Sequence, residues 1–158
     1  MADIAKHCPQ AKEFLTAKFA DNKAIKEILE NYKQKVEKEF FPTRGFGRLN
    51  LKEAKKAISD FKKLTSDPLL TIDIMLFYVE NCVSFTAEFG DINESFYIGA
   101  ENMFEQVVKA VNTAGQSVYE HFSDRLVWVA GNACDGWGFR ESIYDIFLQL
   151  LWVDEEED

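Results

Sequence analysis

Two arginines bracket two glycines in the stretch Phe40-Phe41-Pro42-Thr43-Arg44-Gly45-Phe46-Gly47-Arg48. Glycine backbone N–H groups, guanidiniums and the N-terminus of a following helix are the components of an anion site. Arg44, Gly45, Gly47, Arg48 and, at the start of the next helix, Lys52 therefore form the anion-binding candidate, with Lys55 and Lys56 just beyond. The Gly-x-x-x-x-Gly-Lys-Ser/Thr spacing of a phosphate loop is missing. The alternative is a structural loop whose arginines pair with acidic helices.

A second group is acidic: Glu80, Glu88, Asp91 and Glu94 fall around one turn. Carboxylates that close together suit a divalent cation or a shared proton. The Asp-x-Asp-x-Asp-Gly spacing of a calcium loop is absent, and Asp91 and Glu94 also read as helix caps, so no metal site and no cofactor is expected. His7 and His121 are the only histidines. His121 would pair with Cys134 as a nucleophile only if the fold brought them together. No catalytic residue is assigned. The stretch Gly131-Asn132-Ala133-Cys134-Asp135-Gly136-Trp137-Gly138-Phe139 offers Trp137 and Phe139 as walls of a small pocket; the competing reading is that the indole plugs the core.

Helices must position all of these. Apolar residues make up 47% of the 158, and aromatics 14%, with 14 Phe but only 3 Pro and 8 Gly. Pro9 opens a first segment with Phe14, Leu15 and Phe19. A second, from Asn22 to Phe40, puts Ile25, Ile28, Leu29, Tyr32 and Val36 on one face. Asn50 with Glu53 reads as a capping box before Leu51, Ala54, Ile58, Phe61 and Leu64. Asp67-Pro68 starts the most apolar segment, 68–89, whose polar residues Asp73, Glu80, Asn81, Ser84 and Glu88 fall on one stripe. Asp91 with Glu94 caps the next, carrying Phe96, Ala100, Met103, Phe104, Val107, Val108 and Val111. Ser117 with Glu120 caps another, with Phe122, Leu126 and Val129. The last carries Phe139, Ile143, Ile146, Phe147 and Leu150. The sequence predicts an all-α fold of about seven helices in antiparallel hairpins, an irregular bundle or short α-solenoid-like stack. It predicts one helical domain over 1–153 and a disordered acidic tail over 154–158.

The net charge of −9 is unevenly spread: residues 1–66 hold 15 Lys+Arg against 9 Asp+Glu, and residues 67–158 hold 3 against 18. Such a split suits a partner-binding surface, while overall acidity argues against DNA. Cys8, Cys82 and Cys134 have neither disulfide-framework nor zinc-finger spacing. The longest apolar run, Ile74–Val79, is far below the roughly 20 residues needed to span a bilayer. A cytoplasmic address, no membrane and no DNA are the expectations.

Several segments together are specific: residues 35–47, residues 54–64, Tyr78-Val79-Glu80-Asn81 through Phe85, Gly90-Asp91-Ile92 and Gly136-Trp137-Gly138-Phe139. In this order they resemble the bacterial domain-of-unknown-function family numbered 6155, over roughly residues 20–150. The resemblance implies a bacterial origin and an all-α fold, and brings no activity or site. The leading expectation is a non-enzymatic protein-interaction module, with a protein partner or self-association as a homo-oligomer. The alternative is an anion, nucleotide or RNA binder through the Arg44–Arg48 loop. A metal-assisted enzyme using the carboxylates near 80–94 is third.

Overall fold

Six α-helices account for nearly all the regular structure in the computed structural model, which describes residues 22–42, 49–90 and 92–153. They are α1 (Asn22–Glu37), α2 (Leu51–Lys62), α3 (Pro68–Phe89), α4 (Glu94–Ala114), α5 (Gln116–Asn132) and α6 (Phe139–Phe147), with a 3₁₀ turn over Gly136–Gly138 before α6. Among the described residues 80% are helical and none is in a strand, so the fold is all-α. The first of the seven expected helices, at Pro9–Phe19, lies outside the described residues, as does the tail 154–158. The chain forms two compact units, residues 1–74 and 75–158.

In the first unit, α1 packs on α2. Ile25, Leu29, Tyr32 and Val36 recur at helical spacing and are buried, facing Ala54, Ala57, Ile58 and Phe61 of α2. The Tyr32 and Phe61 rings meet at 5.6 Å. Helix α1 stops at Glu37, short of the expected Phe40, because the chain tightens into i→i+3 bonds. The Glu39 N–H donates to Val36 O at 3.2 Å, and the Phe40 N–H to Glu37 O at 2.9 Å. Asn50 caps α2 as expected, its Oδ1 accepting from the Glu53 N–H at 3.3 Å. Asp67 Oδ1 accepts from the Leu69 N–H at 3.0 Å, so Asp67-Pro68 does start α3. Lys33 of α1 pairs with Asp73 of α3 at 2.7 Å.

In the second unit, α4, α5 and α6 pack pairwise. The stripe expected on α4 is buried at every position, as are Phe122, Leu126 and Val129 of α5 and Phe139, Ile143, Ile146 and Leu150; Phe147 is half-buried. Two caps differ from expectation. Asn93, not Asp91, caps α4, its Oδ1 accepting from the Phe96 N–H at 2.9 Å. Ser117 lies inside α5, which begins at Gln116 after Gly115 and has no side-chain cap bond. Gly115 both ends α4 and starts α5, and its φ of 113° is one that only glycine adopts cheaply. Asn112 ties down the segment after α6: its Nδ2 donates to Gln149 O at 3.0 Å, and its Oδ1 accepts from the Leu151 N–H at 3.1 Å.

Among the described residues, α3 is the one helix long and apolar enough to cross a membrane; 61% of its most apolar window is buried inside the protein. Glu80 and Asn81 interrupt it, which is why its unbroken apolar run is short. Asn81 is itself buried and donates from Nδ2 to Phe77 O at 2.8 Å. Buried Thr86 satisfies its hydroxyl on the Val83 carbonyl at 3.0 Å.

Candidate functional site

The first unit contains a cavity of about 430 Å³ between α1 and α2, and its wall includes Tyr32, Lys35, Lys38, Glu39, Lys56 and Asp60. Glu39 is 4% exposed, and among the described residues its fully buried Oε2 has no hydrogen-bond partner. Tightening of the chain after Glu37 takes Glu39 off the solvated face of α1 and sets it beside buried Phe40. The Leu49 N–H donates to Glu39 O at 2.8 Å, so residues 39 and 49 meet. Leu49 adopts φ 52°, a left-handed conformation uncommon for leucine. The ammonium of Lys35 lies 4.2 Å from the Tyr32 ring centroid.

Of the expected anion-binding set, Arg44, Gly45, Gly47 and Arg48 lie outside the described residues. Lys52 is exposed in the first turn of α2, one turn before Lys56 and on the same face. At that helix start Asn50 already occupies the Glu53 N–H, which leaves one donor fewer for an external anion.

The second unit has a row of rings across its helix ends. Phe89 meets Phe85 at 4.7 Å, Phe85 meets Phe96 at 6.1 Å, Phe96 meets Tyr97 at 5.6 Å, and Tyr97 meets Phe139 at 4.9 Å. Phe139 is fully buried, whereas Phe89 is 51% exposed. Two residues before Phe139, Trp137 is 63% exposed with φ 57°. The indole therefore does not plug the core; Phe139 fills that place. The turn carrying Trp137 is braced at several points. Arg140 Nε donates to Ala133 O at 3.0 Å and its Nη1 pairs with Asp135 at 3.2 Å, while the Cys134 thiol donates to Tyr97 Oη at 3.4 Å.

Glu80 is held by Arg125 of α5 in a two-pronged pair, Nη2 to Oε1 at 2.6 Å and Nε to Oε2 at 3.1 Å. Both of its oxygens are thus engaged. Glu88, two turns further along α3, is exposed, and Asp91 lies outside the described residues. Among the described residues no group of three or more His, Cys, Asp or Glu side chains is placed to hold a metal ion. His121 packs edge-on against Phe122 at 4.7 Å. It lies thirteen positions before Cys134 along α5 and its C-terminus, about 20 Å at helical rise, so the two form no nucleophile pair. His7 and Cys8 lie outside the described residues. Burial pushes the Tyr78 hydroxyl well above the ordinary tyrosine range, with Cys82 beside it adding to the effect. Burial likewise raises the Glu101 carboxyl, against the opposing effect of a hydrogen bond with Ser142.

The sequence signal missed three of these features. Glu39 reads as one more charge in a Lys/Glu run, Arg125 stands alone among acidic residues, and Phe89 reads as core.

The architecture is that of an all-α protein. Residues 10–148 match the model described as "Family of unknown function (DUF6155)", and the chain belongs to that family. No curated protein and no solved structure matches it.

Proposed function

We propose that this protein is a non-enzymatic interaction module that presents the helix ends of its second unit to a protein partner. The observation that carries this reading is Trp137. A bulky residue in the left-handed region costs of order 1 kcal/mol. Here that conformation directs an indole into solvent while Phe139 takes the core position. Tryptophan is also the side chain most enriched among the residues that dominate binding energies. The Arg140 and Cys134 contacts hold the turn in place before binding, which lowers the ordering cost of association. Phe89 adds a second exposed ring at the solvent end of the aromatic row. Residues 67–158 hold 3 Lys+Arg against 18 Asp+Glu, so the complementary partner surface is basic around an apolar centre.

The test is site-specific photo-crosslinking in the native cell, with a benzophenone side chain at Trp137 and, as control, at exposed Lys109. The expected result is one discrete cross-linked protein from position 137 and none from position 109. Equal or diffuse labelling from both positions would remove the proposal.

A further inference from the structure

Helix α2 turns one sign of charge to solvent. Its buried residues Ala54, Ala57, Ile58 and Phe61 define the inner face. At about 100° per residue, Lys52, Lys55, Lys56, Ser59, Lys62 and Lys63 fall within one arc of about 120° on the opposite side, and all six are exposed. Lys63, just past the last helical residue, keeps helical dihedrals, φ −78° and ψ −17°, so the arc is unbroken. Glu53 and Asp60 lie at its flank, outside the arc. Neighbouring α1 mixes its exposed charges instead, with Lys23 and Lys26 beside Glu27 and Glu30. Among the described residues none of the five lysines takes part in an ion pair. The sign of the face does not depend on where the remaining residues lie: residues 43–48 add two arginines and no acid, and residues 1–21 hold three lysines against three acids. Like charges at i,i+4, such as Lys52 and Lys56, destabilise a helix. The face carries that cost with no ion pair among the described residues to offset it.

The face selects its occupant by what it has and what it lacks. Lysine presents a point charge on a flexible stem. This arc has neither the guanidinium fork that grips a phosphate in two places nor an aromatic ring on which a base would stack. The whole chain carries −9, which repels extended polyanions such as nucleic acid or an anionic bilayer, whereas a short acidic segment meets only the local field. One such segment belongs to the chain itself: Asp154, Glu155, Glu156, Glu157 and Asp158. Its five carboxylates match the five ammoniums in number. The lengths match too: from Lys52 to Lys63 the helix rises about 16 Å, and five residues of chain span at most about 17 Å. The residues just before the segment are held by the second unit, the Leu151 N–H by Asn112 Oδ1 at 3.1 Å and the Trp152 ring against Tyr119 at 5.5 Å. We propose that the lysine face of α2 docks residues 154–158 of a second copy of this chain. The uneven charge steers the approach, the basic region of one copy meeting the acidic region of the other. The contact uses neither Trp137 nor Phe89, so it stands or falls independently of the partner surface.

The experiment is amide NMR of the full chain at low salt, comparing micromolar with millimolar concentration. Exposed ion pairs are individually weak, so a dissociation constant on the order of 1 mM is expected. The amides of residues 52–63 should shift as concentration rises, and most of that shift should vanish at about 0.15 M salt, where charges are screened beyond ~8 Å. Two variants should each abolish the concentration dependence. One neutralises the segment, Asp154→Asn/Glu155→Gln/Glu156→Gln/Glu157→Gln/Asp158→Asn; the other, Lys52→Glu/Lys55→Glu/Lys63→Glu, changes only exposed side chains of the first unit. Adding Glu155→Lys/Glu156→Lys/Glu157→Lys to the second should restore the shift with the charges exchanged. An effect of the neutral segment on α2 that is the same at both concentrations would mean that each chain's own segment covers the face, and would overturn the second-copy assignment. A concentration-dependent shift that persists with the neutral segment, no shift at millimolar concentration, or no recovery on exchanging the charges would also overturn it. Submillimolar binding of a uridine oligonucleotide or of phosphatidylserine vesicles, lost in the lysine variant, would assign the face to phosphate groups instead.

Discussion

Glu39 and Trp137 sit in opposite violation of the usual rule of burial. The carboxylate of Glu39 is 4% exposed and the indole of Trp137 is 63% exposed. Each is placed by the same kind of device, an irregular stretch of backbone beside a regular helix: the i→i+3 turn after α1, and the left-handed residue before α6. Each lies close to a buried aromatic: Phe40 follows Glu39, which is buried with it, and Phe139, two residues on, fills the core in place of Trp137. Asn81 and Thr86 are also buried, but inside α3, where their polar groups bond to carbonyls of their own helix, whereas Glu39 and Trp137 stand beside helix ends. The two regions differ in what such a placement offers. The first borders a polar recess; the second presents an aromatic projection, and a projection suits a macromolecular surface.

Two substitutions two residues apart should differ most in their effect. Phe139→Ala should cost about 3–5 kcal/mol in urea unfolding, as for other buried phenylalanines. Trp137→Gly should stay within about 0.5 kcal/mol of wild type, because relief of the left-handed backbone offsets the modest packing of an exposed indole. Similar losses for both would mean that the indole is part of the core. Next in size is the Glu80–Arg125 pair. Arg125→Ala removes both prongs from a partly buried carboxylate and should cost about 1–3 kcal/mol. The Glu105–Lys109 pair at 3.4 Å is its solvent-exposed counterpart on α4, and Lys109→Ala should change stability by less than about 0.5 kcal/mol.

The helices and their buried faces are legible in the sequence because a 3.6-residue period needs only local information. Phe96 through Val111 and Phe122 through Val129 follow directly from spacing. Caps are legible only where one candidate stands alone. Asn50 has no competitor and caps α2, but Asp91 and Asn93 lie two residues apart, and the chain uses Asn93. The candidate sites are less legible. Periodicity says nothing once a helix ends, so from sequence Glu39 reads as solvated and Trp137 as a pocket wall or core plug. The Arg125–Glu80 pair joins positions 45 residues apart, beyond any local pattern.

The capping correction gives a smaller test. Asn93→Ala should cost about 1 kcal/mol through loss of the bond from the Phe96 N–H, whereas Ser117→Ala, inside α5, should be nearly neutral. Reversed magnitudes would restore the cap to Ser117. The smallest effect concerns pH. Burial raises the folded-state carboxyl of Glu101, so the folded protein favours its protonated form. That contribution is complete below the ordinary glutamate value and is lost as pH rises through the raised one. Glu101→Gln should remove this decline and leave the protein slightly more stable than wild type at neutral pH. Denaturation curves at acidic and neutral pH would show the difference between the two slopes.

The most direct test of the central claim is native mass spectrometry of the protein purified at low salt from its own cells, wild type beside Phe89→Ser/Trp137→Gly. A second protein at fixed stoichiometry is expected on the wild type, absent from a double variant that remains folded by circular dichroism. Retention of that protein by the folded double variant, or a bare chain in both preparations, would contradict it.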